Sequence, residues 1–168
     1  MNSKNNSSLI IIQKFCIENN LTLAVSESVS GGNLQSLVCS SKQAGLFFEG
    51  GITLYNCRQK NRFFGFQEDE CMPINGVSAK FSKIMANKTC GLFGSDIGIS
   101  LTGFASPISK FNVNIPYAFG SISFKGKEVF SGMQKGTEEE ASILRELYSK
   151  WIIDELAAII KHRHWDLK

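Results

Sequence analysis

Three serines and a glutamate run into two glycines within one short stretch, "AVSESVSGG", Ala24 to Gly32. An apolar run that ends in hydroxyls and passes through Gly31 and Gly32 into helix-forming residues sets hydroxyls and main-chain N–H groups at a helix N-terminus. Anions and developing negative charge are stabilised there. Taken alone, S-x-S-G-G is better explained by Ser28 or Ser30 capping a helix that begins at Gly31. A second constellation is "EGGITLYNCRQKNRFFGF", in which Tyr55 closes a strand and Lys60 follows about one helical turn later. A phenol and an amine beside a serine make its hydroxyl nucleophilic, because a buried or crowded lysine loses its proton readily and serves as base directly or through the tyrosine. Each residue alone is also accounted for by a half-buried strand end and a solvated helix charge. The step from Tyr55 to Lys60 is one residue longer than a Y-x-x-x-K pair, and G-x-G-x-x-G is absent, which excludes a nucleotide-dependent oxidoreductase.

These residues need elements to hold them. Apolar positions at Leu9, Ile10, Ile12, Phe15, Cys16 and Ile17 predict a helix from Ser7 to Asn19, and Leu21 to Val25 reads as a strand. A helix is predicted from Gly31 to Ser40, a strand from Phe47 to Tyr55 interrupted at Gly50 and Gly51, and a short helix from Arg58 to Phe64. Glu68 to Gly76 has turn chemistry without an apolar period. Ser78 caps a helix reaching Leu92, Asp96 to Gly103 is a buried strand, and Ala118 to Phe124 pairs with Glu128 to Met133 as a hairpin. The last helix is expected from Thr137, with Glu138, Glu139 and Glu140 at the positive end of its dipole. This order predicts an α/β fold: a single layered α/β domain over residues 1–168 with a mixed central sheet flanked by helices.

Composition narrows the function classes. The chain has 168 residues, 43% of them hydrophobic, and a net charge of +3 from 18 basic and 15 acidic residues, with no basic stripe to track nucleic acid. No apolar window reaches the length of a membrane span, so no membrane partner is expected. Cys16, Cys39, Cys57, Cys71 and Cys90 form no C-x-x-C pair; they read as five reduced thiols in a cytoplasmic protein, Cys57 as a small buried packing residue. His162 and His164 are two apart on a helix and would not share a ligand, so no metal and no cofactor are expected.

Four segments, in order, carry a resemblance. "AVSESVSGG" is similar to A-E-S-C-T-G-G of the C-terminal domain of the competence/damage-inducible CinA family, whose stand-alone relatives are nicotinamide-nucleotide amidases. "FFEGGITLYNCRQKNRFFGF" resembles the family's F-x-x-G-x-x-x-Y-S-N-x-x-K-x-x-x-L-G-V, "GVSAKFSKIMA" its G-x-V-S-x-x-V-x-x-x-M-A, and "ISLTGFASP" its S-I-T-G-I-A-G-P. The resemblance implies an amidohydrolase that converts the linear carboxamide of nicotinamide mononucleotide to the acid and ammonia. Ser28 would be the nucleophile, with Tyr55 and Lys60 as its activating partners. Glu27, Ser30, Gly31, Gly32, Thr102 and Gly103 would form the substrate-binding surround. The alternative is a CinA-like ligand-binding or partner-binding module that has lost turnover.

Departures from the family pattern sharpen the expectation. Val29 and Ser30 replace its Cys-Thr, Cys57 its Asn, and Ser106 a glycine; "ISKFNVNIPYAFGS" replaces a Gly-rich loop and K-P-V-G, with Ile115 where a lysine is expected. The loop from Phe111 to Tyr117 therefore offers apolar surface and no cation to a substrate phosphate. Trp151, Ile152, Ile153, Leu156, Ala157, Ile159 and Ile160 make an apolar arc wider than one core-facing stripe, which predicts a homo-oligomer.

Overall fold

The computed structural model describes residues 7–162 and Trp165. Its elements are α1 (Ser7–Glu18), β1 (Leu23–Glu27), α2 (Asn33–Cys39), β2 (Phe48–Thr53), α3 (Cys57–Phe64), α4 (Glu68–Cys71), α5 (Ala79–Phe93), β3 (Ile97–Phe104), β4 (Tyr117–Phe124), β5 (Lys127–Lys135) and α6 (Ala141–His162). The strands form one α/β mixed sheet in the order β2-β1-β3-β4-β5. β1 is parallel to both β2 and β3, whereas β4 and β5 add antiparallel.

The topology fixes where a site can form. From β1 the chain passes through α2 to β2 on one side; it then returns past β1 through α5 to β3 on the other. Right-handed crossovers put helices of opposite direction on opposite faces. Leu23, Val25, Ile97, Ile99 and Leu101 accordingly bury one face under α1, α2 and α6. Gly98, Ser100 and Thr102 turn to the α5 face, where Ser100 Oγ donates to Ser82 O at 2.6 Å. The crevice between the carboxyl ends of β1 and β3 is the switch point at which open α/β sheets bind ligands.

Several boundaries differ from the sequence expectation. α2 begins at Asn33, not Gly31, because Gly31 and Gly32 both have left-handed backbone, φ 62° and 105°. β2 stops at Thr53, so Tyr55 lies beyond its strand. The Glu68–Cys71 segment, expected as a turn, contains the short helix α4. α6 starts at Ala141, leaving the three glutamates ahead of it with only the Glu140 carbonyl accepting from Leu144 N–H. Its apolar arc is used within the chain: Ile152, Ile153, Leu156 and Ala157 are buried, and Trp151, Ile159 and Ile160 pack against the same core. His162 closes α6, and His164 lies outside the described residues. Two of the five cysteines are not thiols, since Cys57 and Cys71 are joined as a disulfide across Cα atoms 5.8 Å apart. Both sit in the second apolar cluster with Phe64, Phe66 and Phe81, which brings them face to face. Among the described residues no helix is long and apolar enough to cross a membrane.

The tightest fit of helix to sheet lies at Gly98, where a Cβ would stand 2.1 Å from the Ala86 carbonyl oxygen and 2.8 Å from Cys90 Sγ. Overpacking of this kind costs about 1–3 kcal/mol. Gly98→Ala is expected to lower the unfolding free energy by that amount, read as a lower urea midpoint at unchanged slope; an unchanged midpoint would mean that α5 is free to move off β3.

Candidate active site

Ser28 follows the last residue of β1 and its N–H still donates to Leu101 O of β3, at 2.9 Å, so the neighbouring strand fixes its backbone. Its side chain lines a cavity of about 240 Å³ shared with Val29, Tyr55, Asn75, Gly103 and Arg145, and closed on one side by Phe104, Ile108 and Phe111. That volume is below the ~300–1,000 Å³ of pockets for drug-sized ligands. Tyr55 stands at the rim, 64% exposed.

Lys60 lies behind this surface. α3 starts at Asn56, whose side chain accepts from Gln59 N–H, and the helix directs Lys60 inward to complete burial. Its Nζ donates to Asn75 O at 2.8 Å and to Thr102 Oγ1 at 3.1 Å, with Gly76 O at 3.5 Å. Thr102 in turn donates to Gly76 O at 3.2 Å. No carboxylate pairs with the ammonium among the described residues. Burial alone lowers Lys60 to about 7, far below the ordinary lysine range. A neutral amine has two N–H groups, which match Asn75 O and Thr102 Oγ1 and leave its lone pair for a proton. Asn75 lines the cavity and Thr102 precedes Gly103, which also lines it, so the amine stands one residue behind the cavity wall. No hydrogen bond joins Ser28 to Lys60 or Tyr55 among the described residues.

The corner that opened the sequence reading is occupied by the protein itself. Glu27 is fully buried on the α2 face. Its Oε2 accepts from Ser30 Oγ (2.6 Å) and Leu34 N–H (3.1 Å); its Oε1 accepts from Gln35 N–H (3.1 Å) and Gln35 Nε2 (2.8 Å). The positive end of α2 is therefore satisfied by an internal carboxylate rather than left for a substrate anion. Glu27, Ser30, Gly31 and Gly32, expected in the substrate surround, do not line the cavity; they hold the turn that presents Ser28. Thr102 serves Lys60 rather than the wall. The main-chain N–H groups of Val29 and Ser30 have no main-chain or side-chain acceptor among the described residues, whereas Gly31 N–H is taken by Ser28 O.

Sequence reasoning missed Arg145. It projects from α6 into the cavity lining, and its Nε is buried with no hydrogen-bond partner among the described residues. A guanidinium is always charged and carries five N–H donors in a planar fork suited to phosphate or carboxylate. Ile115, where the resemblance called for lysine, is 60% exposed and not part of the lining. The substituted loop instead contributes Phe111, stacked on Phe104 at 5.4 Å between ring centroids. The signal for Arg145 was available only as a single arginine on the apolar helix that follows "GTEEE".

The profile of the CinA C-terminal domain family matches residues 6–129. A relative from Bacillus velezensis, named for competence-damage inducibility, is 31% identical over 136 residues, which is 78% of this chain and 33% of that protein. A "CinA-like protein" of Endomicrobium trichonymphae is 29% identical over 130 residues, 76% of this chain and 30% of that one. The chain thus spans about a third of the length of these curated relatives. Among solved structures, a CinA superfamily protein from Klebsiella pneumoniae superposes with a TM-score of 0.81 at 17% identity, covering 97% of this chain and all of that one. The competence/damage inducible protein CihA of Agrobacterium tumefaciens gives 0.80 at 14% identity, with 92% and 94% covered. At these identities the likeness is one of fold.

The state of Lys60 is measurable without a substrate. Below about 7 folded and unfolded chains both hold the proton, and the cost of the buried charge is fully present. From there up to the unfolded lysine value near ~10.4, the unfolded chain binds a proton that the folded one does not, so stability rises with pH. Lys60→Met should remove that rise, read as urea midpoints between about pH 6 and about pH 9. Equal slopes in both proteins would show that Lys60 is not buried as an amine.

Proposed function

The chain belongs to the CinA C-terminal domain family, and from that premise we propose that it is an amidohydrolase whose substrate is the carboxamide of nicotinamide mononucleotide. The observation that carries this reading is one cavity holding a serine hydroxyl and a cationic fork, with an amine of near-neutral pKa behind it. Ser28 Oγ attacks the carboxamide carbon while its proton passes to neutral Lys60, directly or through Tyr55. The oxygen that becomes negative is met by the free N–H groups of Val29 and Ser30, the residues following the nucleophile. Lys60 returns the proton to the departing nitrogen, ammonia leaves, and water cleaves the acyl-serine by the same route in reverse.

Phe104 and Phe111 offer apolar ring surface to the heteroaromatic end. Arg145 meets the phosphate or its ribose linkage, the role left vacant by Ile115. Two rings and a permanent cation favour a phosphorylated nucleoside over its riboside.

Ammonia release from nicotinamide mononucleotide by the purified chain tests this directly. The kcat/KM should rise with pH through about 7 as Lys60 becomes neutral. Ser28→Ala should lower turnover by at least about a thousandfold. Charge-assisted hydrogen bonds contribute about 1.5–3 kcal/mol, so Arg145→Met should raise KM for the mononucleotide about 10- to 150-fold while changing KM for nicotinamide riboside far less. Tight calorimetric binding without ammonia would replace the enzyme by a binding module. Turnover that survives Ser28→Ala would remove the nucleophile assignment.

A further inference from the structure

The segment between α3 and α5 is built unlike the rest of the chain. From Gln67 to Ile74 every side chain is exposed except Cys71, which is fully buried. This excursion returns to the core through Asn75 and Gly76, the two residues whose carbonyls receive the Lys60 amine. Its hold on the body of the protein is correspondingly narrow. Cys71 is bonded to Cys57, the first residue of α3, three positions before Lys60. Cys57 N–H donates to Asn75 Oδ1 at 3.2 Å, and Gly76 N–H donates to Cys71 O at 2.8 Å. The remaining ion pair, Lys80 with Glu70, is on the surface, where such pairs contribute little.

The space is also filled to contact. A Cβ on Gly76, whose φ is 63°, would stand 2.9 Å from Lys60 Cδ and 3.0 Å from Cys71 Sγ. One disulfide thus fastens both halves of the Lys60 surround, the helix that carries the amine and the loop that accepts from it.

We infer that the Cys57–Cys71 pair is a reversible redox latch on the Lys60 surround, closed and catalytically competent as the disulfide and slackened as the dithiol. The inference rests on Lys60 acting as the base of the proposed reaction. A low-molecular-weight thiolate attacks one sulfur when the exposed Gln67–Ile74 segment lifts; the other sulfur leaves as a thiolate and is protonated. A second small thiol then resolves the mixed disulfide. The protein gains two electrons and two protons, and the two small thiols are oxidised to their disulfide. Among the described residues, Asn75 and Gly76 are then tied to α3 only by the Cys57–Asn75 hydrogen bond and Lys60 itself, with Thr102 holding Gly76 O from β3. Arg145, Phe104 and Phe111 stand on other elements and Asn75 alone of the cavity lining lies in the slackened segment, so the effect falls mainly on turnover.

The test compares the oxidised chain with the same chain held in dithiothreitol. Alkylation and mass measurement should add two groups at Cys57 and Cys71 after reduction. Amide hydrogen exchange across residues 71–77 should accelerate on reduction while exchange in β3 stays unchanged. With nicotinamide mononucleotide, kcat should fall about tenfold or more, as expected for a displaced catalytic group, with KM little changed and the rising limb of the pH profile displaced. Cys57→Ser/Cys71→Ser should match the reduced chain and no longer respond to dithiothreitol. Equal exchange and equal kcat in the two redox states would overturn the latch, as would a double variant that still slows in dithiothreitol. If neither state releases ammonia, the amidase reading fails by itself, and the exchange difference alone decides whether the disulfide holds the Lys60 surround.

Discussion

Keeping an amine inside a protein with no counter-ion is the constraint that organises this molecule. The charged form of Lys60 would need strong compensation, and what surrounds it is two peptide carbonyls and a threonine hydroxyl. Three oxygens match the three N–H groups of an ammonium, so it is burial without a carboxylate partner among the described residues, not the count of acceptors, that favours the neutral amine. Other features follow from it. Asn75 has left-handed backbone, φ 50°, and gives its carbonyl to Lys60; Gly76 follows in the same region, φ 63°, where a Cβ would strike Lys60, so the position requires glycine. Thr102 lies on the α5 face of β3 because strand alternation places it there, two residues beyond Ser100. The surroundings of Lys60 are a product of register as much as of residue type.

A second buried polar side chain solves the opposite problem. Glu27 is ionisable and wholly enclosed, yet its two oxygens receive four hydrogen bonds from residues of the adjoining turn and helix. It spends the positive end of α2 on holding the Ser28 turn in place. Strand alternation separates the two side chains: Glu27 faces α2, whereas Lys60 reaches Thr102 on the α5 face. The sheet thus keeps carboxylate and amine from neutralising one another, which would return the lysine to its charged form.

How much of this was legible in the sequence depends on how local each cause is. The corner at Ser28 and the Tyr55–Lys60 spacing were readable because strand, turn and helix follow one another within a few residues. The role of Glu27 was not, since "SESVSGG" suggests a cap without saying which oxygen provides it. The expectation of Ser28 or Ser30 as cap assigned to a hydroxyl what the carboxylate does. Arg145 was invisible for a different reason: only the packing of α6 through Leu144 and Tyr148 against the sheet brings it to Ser28. The Cys57–Cys71 bond escaped notice because wide cysteine spacing says nothing about distance in space. The apolar arc of α6 was read as apolar, and within the chain α1, α2 and the sheet bury Ile152, Ile153, Leu156 and Ala157 and leave Trp151, Ile159 and Ile160 half-buried.

The position of Arg145 on the last helix also bears on how the protein is made. Ser28, Tyr55, Lys60 and Thr102 are all synthesised before α6, and a domain generally folds as a unit, so they wait for α6 before they are held together. Until α6 arrives, Leu23, Val25, Ile99 and Leu101 have lost one of the three helices that cover them, because Leu144, Tyr148, Ile152 and Leu156 complete that layer. The helix that delivers the cation is thus also the one that closes the core. A nascent chain that stops short of α6 has Ser28 and Lys60 but neither the guanidinium nor the packing that aligns them, so serine, amine and cation come together only once α6 is in place.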